Sequence, residues 1–183
     1  MKKYELTAEF IEKLGKKLFR IKALISFGSV EAGELGGYVE KEDNLAQDGD
    51  AWVCGNAWVY DNARVYGNAR VYGNARVYGN ARVCGNAWVC GNAWVCGNAD
   101  YLLIGRIGSR FSFTTFFKNK DKGITVSCGC FLGTIAEFRA KVTDTHGNNK
   151  HAKMYNLAAD MAELQILGEE HFDKLNTNKS EPF

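Results

Sequence analysis

Proline is nearly absent from this chain, occurring once in 183 residues, at Pro182. Turns must therefore be built by other means, and the abundance of glycine and asparagine predicts corners that use left-handed backbone. Histidine is almost as scarce, with only His146, His151 and His171, so the first three-quarters of the chain has no imidazole for acid–base or metal chemistry. No apolar run approaches the roughly 20 residues a membrane-spanning helix needs. The start, MKKYELTAEF, is basic but lacks the apolar stretch of a secretory signal. A membrane partner is therefore not expected. Neither charge dominates: 23 basic residues face 21 acidic ones, a net charge of +2, which gives no electrostatic argument for nucleic acid.

What is present is a repeat. From Ala51 the chain runs in units of six: small residue, variable residue, Val, Tyr or Cys, Gly or Asp, Asn. Valines fall at 53, 59, 65, 71, 77, 83, 89 and 95, and alanines at every sixth position from Ala51 to Ala99. A fixed period of this kind means stacked units that bury a shared core. In Ala57-Trp58-Val59-Tyr60, strand alternation sends Ala57 and Val59 to one side and Trp58 and Tyr60 to the other. The following pair, Asp61-Asn62 here and Gly-Asn in most units, turns a corner. Three strands and three corners close one coil, so residue n lies above residue n+18.

This register orders the outside. One face carries Trp52, Arg70 and Trp88, the next Trp58, Arg76 and Trp94, the third Arg64, Arg82 and then Asp100. With coils about 4.8 Å apart, each arginine of the first two faces is expected between two indoles, at roughly 0.5–2 kcal/mol per contact. The ladders either stiffen the coil or form a face covered by a partner. Cys84, Cys90 and Cys96 fall on three different faces and Cys54 lies two coils from Cys90, too far for a disulfide. Free thiols in a reducing cytoplasm are expected.

Four segments follow: a strand cap with a first partial coil over 1–50, the repeat over 51–100, an α+β module over 101–172, and a loose polar tail over 173–183. In the first, Lys17–Leu24 alternates as a strand. Tyr4–Leu6 can pair with it, and Thr7–Lys16 between them reads as linker or short helix. In the third, Tyr101–Leu103, Phe111–Phe117 and Ile124–Phe131 read as strands, with a hairpin turn at Asn119–Gly123. Thr134 and Glu137 form a capping box that opens a helix ended by Gly147. A second helix, from about Asn149 to Leu167, is predicted to bury Met154, Leu157, Met161 and Leu164.

Candidate chemistry concentrates in that module. Arg106, Ser109 and Arg110 offer backbone donors and guanidinium groups. Ser112, Thr114, Thr125 and Ser127 are predicted to form one hydroxyl-rich sheet face, either solvated or able to hold a phosphate-bearing molecule. His146, Asn148 and His151 either cap turns and helix ends or touch an anionic ligand. Cys128-Gly-Cys130 lacks a second ligand pair and reads as core-facing thiols, so neither a metal nor a cofactor is expected.

The repeat resembles left-handed hexapeptide-repeat β-helices, and the fold class expected is mainly β: such a helix followed by a small α+β module. Proteins of that class are usually trimers, which makes self-association as a homotrimer, through Trp52, Trp58, Arg70, Arg76, Trp88 and Trp94, the expectation. Hexapeptide acyltransferases use a histidine base, often with a loop between hexads, and gamma-class carbonic anhydrases need three histidines. Here no histidine lies between Phe27 and Arg110, and the hexads run without insertion. An enzyme is not expected. A closer resemblance, spanning nearly the whole chain, is to uncharacterised hexapeptide-repeat proteins of phages and prophages of Gram-positive bacteria. It rests on Arg20–Leu24, Gly33–Glu40 (GELGGYVE), the AxVYGN units, Ile107–Arg110, Val126–Phe131 and Thr145–Asn149. It implies a cytoplasmic accessory protein that counters host defence by binding a nucleotide-like signal or a host defence protein. A structural spacer in a particle or on a cell surface, and a diverged acyltransferase, are the alternatives.

Overall fold

The hexads wind as their period requires. In the computed structural model, which describes residues 1–170, each hexad contributes a two-residue strand. These are β4 (Trp52–Val53), β5 (Trp58–Val59), β6 (Arg64–Val65), β7 (Arg70–Val71), β8 (Arg76–Val77), β9 (Arg82–Val83), β10 (Trp88–Val89) and β11 (Trp94–Val95). They stack in parallel every third strand: β4-β7-β10 on one side, β5-β8-β11 on the second, β6-β9 on the third. The result is a β-solenoid of about three turns. Each rung donates to the next, as in Trp52 N–H to the Ala69 carbonyl (3.0 Å) and Cys54 N–H to Val71 (2.9 Å). The alanines from Ala51 to Ala93 and valines from Val53 to Val95 are all fully buried. Ala99, the ninth alanine in the pattern, is not: the repeat breaks into a 3-10 turn, Asn98–Asp100, and Ala99 is exposed.

The corners carry backbone that most side chains resist. Gly55, Gly67, Gly73, Gly79, Gly85 and Gly91 all have φ between 61° and 72°, and Asp61, standing in the same place, has φ 59°. Asp61 compensates through its carboxylate, which accepts from Gly79 N–H (3.2 Å) and pairs with Lys16 (3.0 Å). Burial pushes its pKa up, but those two partners hold it below the usual range. Asparagine ladders form at two corners, Asn62 to Asn80 and Asn68 to Asn86. At the Asn56–Asn74–Asn92 corner the backbone makes the link, Asn56 N–H donating to Gly73 and Asn74 N–H to Gly91.

The solenoid's second face is extended by a hairpin. Strand β1 (Tyr4–Lys13) pairs antiparallel with β2 (Lys16–Ala23), β2 with β3 (Leu35–Val39), and β3 runs parallel to β5, giving the order β1-β2-β3-β5-β8-β11. Thr7–Lys13 is thus strand rather than helix, because a two-residue turn at Leu14 and Gly15, both with positive φ, folds it back on β2. Gly36 is required there: a Cβ would strike the Ile21 side chain and come within 2.6 Å of the Val53 carbonyl.

A buried lysine closes the open rung. Strands at the end of a stack have carbonyls with no rung beneath them. Lys3 Nζ donates to the carbonyls of Asp48 (3.3 Å), Gly49 (3.2 Å) and Ala51 (3.0 Å), and sits 4.9 Å from the centre of the Phe27 ring. Tyr4 Oη donates to the carbonyls of Glu42 and Leu45. Burial, outweighing Asp48 and Asp50, lowers the Lys3 pKa from 10.5 to about 8. The unfolded chain therefore holds a proton that the folded one releases between pH 8 and 10.5. Stability from this group should rise with pH across that window, and it is lost as pH falls through 8. Urea melts at pH 8 and pH 9.5 should show the native chain gaining stability relative to Lys3→Met, since the Cys54 thiol and the tyrosines, whose raised pKa values act in the opposite direction, are common to both.

The second compact unit begins at Ala99. Its sheet has the order β12-β13-β14-β15, all antiparallel: β12 (Tyr101–Ile107), β13 (Ser112–Lys118), β14 (Ile124–Cys128) and β15 (Phe131–Thr134). The fourth strand corrects the expected single strand Ile124–Phe131. Gly129, with φ 60°, turns the chain, and Cys130 is exposed rather than core-facing. Helix α1 (Ile135–His146) carries the predicted capping box, Thr134 Oγ1 accepting from Glu137 N–H at 3.2 Å, and ends at Gly147. Helix α2 (Lys150–Leu167) is capped by Asn149.

Helix α2 overturns one expectation outright. Met154, Leu157, Met161 and Leu164 are exposed, while Ala152, Tyr155, Ala158, Ala159, Ala162, Glu163 and Ile166 pack into the core with Phe116, Val126 and Phe138. Alanines bring the helix axis close to its neighbours, and Arg139 of α1 fixes the choice. Its guanidinium donates to Glu163 (2.6 Å) and Asp160 (2.7 Å), so the buried carboxylate of Glu163 is paired. The tail expected from residue 173 lies outside the described residues.

Candidate functional site

The alanine face of α2 carries one aromatic side chain, Tyr155, and the candidate site of the second unit is built around it. Its ring packs edge-on against Phe138, with centroids 5.6 Å apart, and lies 5.8 Å from His146 at an interplanar angle of 27°. His146, from the last turn of α1, is in turn 5.8 Å from His151 in the first turn of α2. The short Gly147–Asn149 link forces this pairing, since it lays the end of one helix beside the start of the next. The Tyr155 hydroxyl hydrogen-bonds with Cys128 at the end of β14, and Thr114 Oγ1 donates to Cys128 Sγ at 3.2 Å. Burial first, then Cys128, push the Tyr155 phenol up to about 12, while Arg110 pulls the other way and so lies within electrostatic reach.

The loop before β13 closes against the same ring. Gly108 is buried with φ 74°, and a Cβ there would collide with the Tyr155 hydroxyl, so only glycine lets the loop approach. Beside these groups is a cavity of about 110 Å³ lined by Cys128, Phe131, Phe138, Lys141, Val142, Thr145, His146 and Tyr155. His151 Nδ1 is buried without a hydrogen-bond partner. A buried ring nitrogen left unmet is a position that a bound molecule can satisfy.

Of the seven ligand-site residues read from sequence, the fold gathers Arg110, Thr114, His146 and His151 around Tyr155. Arg106 and Ser109 are exposed on β12 and the turn after it, and Asn148 is exposed between the helices. The hydroxyl-rich face does not form. Thr114 pairs with Cys128 and Phe116 with Val126, which puts Thr114 on the helix-facing side, whereas Ser127 pairs with Thr115 and Thr125 with Phe117 on the other. Tyr155, Lys141 and Phe131 were not anticipated. A lone aromatic among Ala152, Ala158 and Ala159 at helical spacing was the signal available for the first of them.

The solenoid supplies a different kind of surface. Tyr38, Trp58, Arg76 and Trp94 align in register along one face, and the Arg76 guanidinium lies 4.4 Å from the Trp58 ring centre and 5.1 Å from that of Trp94. The predicted sandwich is formed there. On the neighbouring face Trp52, Arg70 and Trp88 also share a file. Trp52, however, is turned into the cap and buried edge-on against Phe27 (5.4 Å) and Tyr4 (6.3 Å), so it cannot belong to an assembly face. Trp88 and Trp94 remain 48% and 38% exposed. Overlapping windows of this stretch, 57–73, 63–79, 69–85, 75–91 and 81–97, match a repeat family. The match is to the YdcK Beta solenoid repeat. It covers the rungs with the strictest hexads, where the Ala/Val interior is continuous, and leaves the second unit and the Tyr155 cluster unmatched. No curated protein matches the chain. All six cysteines are free thiols. Among the described residues no group of three His, Cys, Asp or Glu side chains is placed to hold a metal, and no helix is long and apolar enough to cross a membrane.

Proposed function

We propose that this chain is a non-enzymatic binding protein whose second unit captures a small anionic, nucleotide-like molecule. The reading is carried by the cavity that Lys141, His146 and Tyr155 line, with the unpartnered His151 Nδ1 next to His146 and Arg110 within electrostatic reach of Tyr155. A space of about 110 Å³ suits one planar ring between Phe138, Tyr155 and His146 rather than a whole nucleotide. The charged remainder would stay outside, within reach of the exposed Arg110 and Lys141. Resemblance to phage and prophage proteins supports a role as a cytoplasmic accessory protein that withholds such a signal from host defence, or blocks a defence protein directly.

Heat-denatured protein should release a phosphate-containing molecule detectable by mass spectrometry. Arg110→Ala should weaken its retention about 10- to 100-fold, the usual value of a hydrogen bond to a charged group. An empty extract, with no thermal shift across cyclic nucleotides and ADP-ribose, would sink the proposal.

A second reading concerns the solenoid. Exposed Trp94, stacked on Arg76, and exposed Trp88 on the neighbouring face have the composition of an interface centre, which favours assembly of copies through these two faces. A homotrimer is the expected form, and native mass spectrometry of Trp88→Ala/Trp94→Ala against the native chain tests it.

A further inference from the structure

The side of α2 that the fold leaves outside is more hydrophobic than the side it buries. Met154, Leu157, Met161 and Leu164 are 39%, 63%, 57% and 45% exposed. They follow a spacing of three, four and three residues, which lines them along one side of the helix. This is the a/d seam of a helix pair. The helix does not need the stripe to hold its place, because its alanine face, the Asn149 cap and the Arg139–Glu163 pair already do so.

We propose that this stripe binds the same stripe on a second copy of the chain, with the two α2 helices antiparallel. The charges at the helix ends select both partner and direction. Lys150 and Lys153 stand exposed at the N-terminal end, and Glu169 and Glu170 stand exposed just past the C-terminal end. Antiparallel pairing sets each basic end against the partner's acidic end and opposes the two helix dipoles. Parallel pairing would set lysine on lysine. In this direction the seam is self-complementary across a two-fold axis perpendicular to the helices. Met154 meets the second copy's leucine at position 164, and Leu157 meets its methionine at 161, with the two-fold axis level with Ala159. The thioethers fill the irregular space between the leucines.

Four partly exposed side chains offer roughly 400 Å² per copy, comparable to the largest apolar patch of an ordinary monomer and half of what a stable interface usually buries. The dimer is therefore expected to be weak and reversible. It uses none of the residues of the Tyr155 site or of the solenoid faces, so its failure would leave those readings standing.

Sedimentation velocity of the full chain, from low micromolar to several hundred micromolar, should show a reversible twofold step in mass. Leu157→Glu/Met161→Glu should remove that step without lowering the melting temperature, since both positions face solvent. Trp88→Ala/Trp94→Ala should leave the step in place. Direction is read by cross-linking in a Cys96→Ser/Cys130→Ser background. Chains carrying Leu157→Cys should cross-link to chains carrying Met161→Cys several-fold faster than either does to itself. An unchanged step in the double glutamate variant, no step in the native chain, or preferential self-cross-linking of Leu157→Cys would each overturn the proposal.

Discussion

Val77→Asp is expected to unfold the solenoid. Val77 is fully buried in the middle rung, in register with Val59 before it and Val95 after it, and its immediate interior neighbours are valine and alanine side chains. A carboxylate there has no partner. It must either protonate or draw water through a wall of continuous backbone hydrogen bonds, and the cost is expected to exceed about 4 kcal/mol. Domain stabilities of about 5–15 kcal/mol leave little after such a loss. All four tryptophans, Trp52, Trp58, Trp88 and Trp94, belong to this unit, so the tryptophan emission maximum reports it alone. It should shift to the red at room temperature in Val77→Asp and stay near the native value in Val77→Ile. A native-like emission spectrum and urea midpoint in Val77→Asp would contradict the stacked interior.

Arg139→Ala is expected to cost the second unit about 3 kcal/mol, because it strands a buried charge. The guanidinium holds Glu163 at 2.6 Å and Asp160 at 2.7 Å, and also reaches the Asn156 backbone carbonyl at 3.3 Å. The Glu163 side chain is only 7% exposed, so removing its partner leaves a carboxylate with poor access to water. Replacing both by apolar residues, as in Arg139→Met/Glu163→Met, removes the stranded charge and should recover most of the loss. Helices α1 and α2 both lie in this unit, so ellipticity at 222 nm during urea unfolding chiefly follows it. If the single and double variants melt alike, the pair is not what decides which face of α2 is buried.

The inversion of α2 shows where local reading stops. Two faces of that helix satisfy the same 3.6-residue period, one of Met and Leu, the other of Ala, Tyr and Ile. Hydropathy favours the first for burial, yet the second packs, because small side chains allow close approach and because Arg139 waits there for Glu163. Neither fact is local. The candidate site was half visible for the same reason. Arg110, Thr114, His146 and His151 stood out as polar residues in an apolar setting, but the strand register that turns Thr114 toward Cys128 joins positions 14 residues apart. Tyr155 acquires its role only when Gly108, His146 and Cys128 arrive from three other elements.

Within the solenoid the position is reversed. A six-residue period, glycine or aspartate at each corner and alternating interior and exterior residues are all short-range properties. They sufficed to place Val71 beside Val89 and Arg76 between two indoles, since each rung interacts only with the rungs next to it. Trp52 keeps its place in the file, but its ring turns into the cap because the neighbour that captures it, Phe27, comes from there and not from an adjacent rung. Sequence alone thus determined the stacked coils, their register and the ends of the helices, where the governing contacts recur at a fixed short separation. Tertiary structure decided the hairpin that extends the second face, the lysine that closes the open rung and the side of α2 left to solvent. There the deciding partners lie far apart along the chain, and their meeting depends on how whole elements pack.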